Sequence, residues 1–207
     1  MRLFVAIDLD HGAREAIAGE QKRVARQIVG TDNSALSLVP PERMHLTLLF
    51  LGEVPAMRSP RGAADRGEPD DVRGPSSAAV IEAMHDDLDG VPFGVAFAGL
   101  GVFPSRGAPR VLWVGVANGR REIMGIQRQI ADRFVRLGAS LEDRPYHPHL
   151  TLARWRAARP ADRHRALAAD SGGEVARIDV AAVTLYQSRL SSSGPTYTAL
   201  ASAPLRP

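Results

Sequence analysis

Residues 44–51 read Met-His-Leu-Thr-Leu-Leu-Phe-Leu, and residues 149–155 read His-Leu-Thr-Leu-Ala-Arg-Trp. The tetrapeptide His-Leu-Thr-Leu therefore occurs twice, with His45 and His149 lying 104 residues apart. Alternation of apolar and polar residues predicts a strand at each copy. In an extended strand, side chains at i and i+2 share a face. His45 and Thr47 then point one way and Leu46 and Leu48 the other. His149 and Thr151 repeat the pattern against Leu150 and Leu152. Each strand offers an imidazole and a hydroxyl on an apolar anchor.

The neighbourhood of the two copies repeats as well. Before and after the first lie a strand over residues 3–9, a helix over 13–28, a helix over 78–88 and a strand over 93–100. The second has a strand over 111–116, a helix over 121–137, a helix over 161–169 and a strand over 176–185. Ile123, Ile126, Ile130 and Phe134 form one apolar helical stripe, suited to a core. The order strand, helix, histidine strand, helix, strand thus occurs twice, which marks an internal duplication. The expectation is one domain, residues 1–207, made of two units, about 1–103 and 108–207. Residues 58–77 (RSPRGAADRGEPDDVRGPSS) hold no large apolar residue except Val72, a composition that predicts a mobile insertion.

Composition excludes several classes of function. The 207-residue chain has no cysteine, so disulfides, thiol nucleophiles and cysteine-based zinc sites are ruled out. The apolar run at residues 3–7 is too short for a membrane span, and a cytoplasmic location with no membrane association is expected. Of the 26 basic residues only Lys22 is lysine, and the formal charge is +3. Arginine suits phosphate recognition because its planar fork bonds two oxygens at once.

Two imidazoles and two hydroxyls converging on one point can carry out in-line displacement at phosphorus. One histidine takes a proton from water while the other protonates the leaving oxygen. The threonine hydroxyls are fixed donors for charge on the non-bridging oxygens. No metal or other cofactor is required. His147-Pro148-His149 is followed by Leu-Thr-Leu-Ala rather than by further ligands, so no metal site is expected there. No Walker or dinucleotide fingerprint occurs. Further substrate-binding candidates are Arg154, which strict alternation turns away from His149 unless a bulge intervenes, Arg144 on the preceding loop, and Tyr146, which can stack on a base. Phe50 shares the face of Leu46 and Leu48 by the same alternation and is expected in the core.

The stretches RLFVAIDL (2–9), PPERMHLTLLFLGEV (40–54), PFGVAFAGLGVFPS (92–105), PRVLWVGV (109–116), RPYHPHLTLARW (144–155) and LYQSRL (185–190) resemble the RNA 2′,3′-cyclic phosphodiesterase (2′-5′ RNA ligase) family of the two-histidine phosphoesterase superfamily. The resemblance implies an α+β fold, bilobal and pseudo-two-fold, with a mainly antiparallel sheet in each lobe and the active-site groove between them. It implies hydrolysis of a terminal 2′,3′-cyclic phosphate to a 2′-phosphomonoester, with His45 as proton donor and His149 as proton acceptor. Thr47 and Thr151 would hold phosphate oxygens. RNA with cyclic-phosphate ends, or small cyclic nucleotides, would be the partners, with no obligatory protein partner. Leu49 stands where relatives often carry a basic residue. Competing readings are 2′-5′ ligation, which is the reverse reaction, action on another phosphodiester, and a nucleotide- or RNA-binding module without turnover.

Overall fold

The structure, a computed structural model, describes residues 1–28, 36–56, 74–142, 144–192 and 194–207. Strand β1 (Arg2–Ile7) leads into helix α1 (His11–Ile28). A short β2 (Leu36–Leu38) and a 3-10 turn (Pro41–Arg43) precede β3 (Leu46–Glu53). Helix α2 (Ser77–Ala83), the two-residue β4 (Leu88–Asp89) and β5 (Phe93–Phe103) follow. The second half runs β6 (Val111–Asn118), α3 (Arg120–Arg136), β7 (His149–Trp155), α4 (Pro160–Ala168), β8 (Glu174–Val180), β9 (Ala182–Ser191) and β10 (Gly194–Arg206).

The expected elements are present, with informative differences at their ends. His45 sits just before β3 rather than inside it, because the 3-10 turn ends only two residues earlier. Most of the insertion at 58–77 falls outside the described residues. Its last two residues are built into α2: Ser76 Oγ caps the helix by accepting from Ala79 N at 3.2 Å, and Ser77 is buried. The strand expected over 176–185 is two strands broken at Ala181. No glycine or proline marks that break, so the pattern reads through it. Strand β10 has no counterpart among the expected elements, since its run of Gly, Pro, Ala and Ser is poor in β-branched residues.

Hydrogen bonding orders the strands β4-β10-β9-β1-β3-β7-β6-β5-β8, with β2 added alongside β7. Among the described residues every pairing is antiparallel except β4 with β10. The seam in this order lies between β3 and β7, which share one ladder pair, Leu46 with Leu150. About that seam the order is symmetric: β3, β1, β9 and β10 on one side answer β7, β6, β5 and β8 on the other. The lobes therefore do not follow the chain halves strand for strand. Strand β5 from the first half completes lobe two, and β9 and β10 from the second half complete lobe one. Ala181 alone links β8 in one lobe to β9 in the other.

Helices cover the outer face. Helix α1 buries Ala13, Ile17, Val24 and Ile28 against β8 and α4, while α4 also meets β5. Helix α3 buries Ile123, Ile126, Ile130 and Phe134, the stripe read from sequence, and packs behind β3. Leu3, Val5, Leu46, Leu48, Leu150 and Leu152 are buried in this core. No described helix is long and apolar enough to cross a membrane.

Leu46 has no exposed surface and holds the one rung between the sheets. Leu46→Ala is expected to cost about 2–5 kcal/mol of unfolding free energy in urea melts. Leu49→Ala, at a half-buried position on the same strand, is expected to cost distinctly less.

Candidate active site

The Leu46–Leu150 pair fixes what stands opposite what. Continuing its antiparallel register sets His45 across from Thr151 and Thr47 across from His149. The two histidines become diagonal neighbours, a relation worth about 7–8 Å in a regular ladder. Beyond that rung the strands part, and a cleft of about 720 Å³ opens between the lobes. His45, Thr47, His149 and Thr151 all line it. Their four leucine neighbours are buried on the opposite face, as the alternation predicts.

Both imidazoles are held in the same way. His45 Nδ1–H donates to the carbonyl of Arg43 at 2.9 Å, and His149 Nδ1–H donates to that of His147 at 2.7 Å. A carbonyl can only accept, so each Nδ1 carries hydrogen and each Nε2 is left for proton exchange. The His45 ring stacks on Phe4 at 4.9 Å and meets the edge of Tyr197 at 5.2 Å. Phe4 in turn stacks on Tyr186 at 5.4 Å, whose hydroxyl donates to Asp8 at 2.6 Å. The His149 ring lies edge-on to Phe103 at 5.0 Å, with Trp113 at 6.0 Å.

Burial is the main influence on both histidines and lowers their proton affinity below the ordinary 6.5. The bonds to backbone carbonyls oppose it. Around His45, Asp8 favours the charged form and Arg14 disfavours it. Around His149, His147 and Arg154 both disfavour it. The two sites thus differ in charge although they match in geometry.

Matching bulges shape the rest of the cleft. On β3 the register against β1 passes from Thr47–Ala6 to Leu49–Val5, leaving Leu48 as the extra residue. On β7 the register against β6 passes from Thr151–Trp113 to Ala153–Leu112, leaving Leu152 extra. Each bulge shifts the alternation by one. Leu49 and Leu51 therefore join Leu48 in facing the core, and Ala153 and Trp155 join Leu152. The residues thrown into the cleft are Phe50 and Arg154, both five positions past a histidine. The bulge that Arg154 needs is there. Phe50 is 62% exposed rather than in the core, because the bulge at Leu48 reverses its face. The signal is legible in the sequence as a phase slip, two successive apolar residues at 48–49 and again at 152–153.

Gln21 of α1, which sequence reasoning missed, fixes the second bulge. It is 2% exposed, and its Nε2 donates to Leu152 O at 2.6 Å and Val39 O at 2.8 Å. The bulged carbonyl of Leu152 also accepts from Val39 N at 2.8 Å, so the buried amide is its second donor.

Two other expected contacts are not brought to the cleft. Arg144 is 85% exposed and lies 3.8 Å from Glu142. Tyr146 is partly buried, and its hydroxyl donates to the backbone carbonyl of Thr47 at 2.9 Å. It ties lobe two to lobe one and does not line the cavity. Among the described residues no three His, Asp or Glu side chains cluster as metal ligands do.

Comparison with known proteins identifies the family. Residues 20–191 match the model of the 2′-5′ RNA ligase superfamily. An Archaeoglobus fulgidus protein named RNA 2′,3′-cyclic phosphodiesterase is 33% identical over 199 residues, 95% of this chain and 96% of that protein. A Thermus thermophilus protein of the same name is 33% identical over 214 residues, covering 100% of this chain and 91% of its own length. The crystal structure of the Thermus thermophilus protein TT0787 superposes with a TM-score of 0.61 at 30% identity, covering 100% of this chain and 98% of that one. Escherichia coli LigT in apo form, 22% identical, shares the fold with a TM-score of 0.67 over 100% of this chain and 98% of its own. The chain belongs to the 2′-5′ RNA ligase superfamily.

Proposed function

We propose that this enzyme hydrolyses 2′,3′-cyclic phosphodiesters at RNA ends to 2′-phosphomonoesters by two-histidine acid–base catalysis. The observation that carries the mechanism is the matched pair of imidazoles, each anchored through Nδ1–H and lining one cleft beside a threonine. Water attacks phosphorus in line with the departing 3′ oxygen. His149 Nε2 accepts the proton of that water, and His45 Nε2–H protonates the 3′ oxygen as its bond to phosphorus breaks. Thr47, Thr151 and Arg154 donate to the non-bridging oxygens as charge grows there.

A two-fold arrangement by itself does not say which histidine is the acid. The asymmetry at the bulges supports an answer. The leaving 3′ oxygen stays on the ribose, so the acid belongs on the nucleoside side. Phe50, beside the first motif, offers an aromatic face for the terminal base. Arg154, beside the second, offers a fork for phosphate and disfavours a charged His149, as a base requires.

His45→Ala and His149→Ala are each expected to reduce kcat by about 10²–10⁴-fold, with far-UV circular dichroism unchanged. The wild-type enzyme should retain full activity in EDTA, and phosphorus NMR should identify a 2′-phosphate product. Activity abolished by the chelator, or a 3′-phosphate product, would overturn the mechanism.

The pH dependence follows from the direction of the shifts. The productive free enzyme carries one proton on the pair, and kcat/KM peaks midway between the two apparent pKa values. Both are pushed below 6.5 by burial. The kcat/KM maximum is therefore expected on the acid side of 6.5, falling as the pH rises through neutrality. A maximum above about pH 7 in initial-rate measurements would contradict this assignment of protons.

A further inference from the structure

The cleft is longer than the reaction needs. Beyond the acid–base pair it continues along β1, β9 and β10, where Arg2, Ser188, Leu190, Pro195 and Tyr197 line it. Ser188 is the ladder partner of both Arg2 and Tyr197, so these two flank it on one face of lobe one. Arg43 reaches the same end from the 3-10 turn. Its guanidinium lies against Gly194, where an added Cβ would collide with it. The charges of Arg2, Arg43 and Arg154 all act on the Tyr197 phenol, whose ring is 5.2 Å from that of His45.

The mechanism above assigns Arg154 to the reacting phosphate and makes no use of Arg2 and Arg43. A cyclic mononucleotide has no second phosphate to offer them, but a chain does. We propose that Arg2, Arg43 and Tyr197 form a second phosphate subsite, which holds the phosphodiester joining the terminal nucleotide to its 5′ neighbour. Leu190, 70% exposed and paired across the hairpin with Pro195, continues the surface apolar side outward, where the preceding base rests. The subsite makes RNA of two or more nucleotides the preferred substrate over free cyclic nucleotides. It rests on the reading of the reaction given above.

The test compares three substrates: a 2′,3′-cyclic mononucleotide, a dinucleotide ending in the same cyclic phosphate, and that dinucleotide with an uncharged methylphosphonate linkage. For the wild-type enzyme, kcat/KM should be about 10-fold or more higher for the dinucleotide than for the mononucleotide, as a charge-assisted contact to phosphate provides. The methylphosphonate should lose that advantage. Arg2→Gln should remove most of it while leaving mononucleotide hydrolysis within about two-fold of wild type. The proposal is overturned if the two natural substrates are cleaved equally well, if the neutral linkage keeps the advantage, or if Arg2→Gln slows both natural substrates alike. The methylphosphonate arm uses unmodified protein and so does not depend on how the variant folds. Failure to cleave even the mononucleotide and the dinucleotide would instead remove the reaction itself, and the subsite with it.

Discussion

Almost everything about this molecule depends on two sheets whose adjoining strands share a single rung. Leu46 and Leu150 form the one ladder pair between β3 and β7. Because the side-chain period of a strand is two, that rung decides at a stroke what faces the cleft. Both leucines are fully buried, and their burial turns an imidazole and a threonine toward solvent on each side. Hydrophobic packing thereby sets the spacing of polar groups that make no direct bond to one another.

The same constraint explains why the histidines need separate anchors. Backbone pairing with β6 and β1 on the far sides holds the strands, but an imidazole at a strand end can still rotate about its side-chain bonds. The carbonyls of Arg43 and His147, each two residues upstream, fix ring orientation and tautomer together. Aromatic walls then remove water. The cost is a lowered proton affinity, and the charges nearby, Asp8 on one side and Arg154 on the other, tilt two like sites toward unlike duties.

Much of this is legible in the sequence. The repeated His-Leu-Thr-Leu marks the four central side chains, and the repeated order of elements marks a pair of lobes, while the antiparallel sheets come from the family resemblance. Two things leave no local signal, and a third is recorded only as a phase slip. The exchange of β5 against β9 and β10 is a long-range pairing choice, and no local pattern records it. Phe50 is misplaced when strict alternation is carried across a phase slip. Gln21 is a buried amide that looks like any polar helix residue until the bulged carbonyl it serves is in view. Arg144 and Tyr146 are suggested by proximity in sequence to the second motif, but one points to Glu142 and the other to the Thr47 backbone, so neither reaches the cleft.

The crossing between β8 and β9 has a mechanical consequence. Ala181 is the whole connection between a strand of one lobe and a strand of the other, and a single residue spans at most about 3.3–3.6 Å. The leucine rung and the bond from Tyr146 to Thr47 O add two further ties across the seam, and no loop between β8 and β9 is there to lengthen if the lobes separate. A ligand that needs a wider cleft must strain that link or the rung, which favours ligands already shaped to enter.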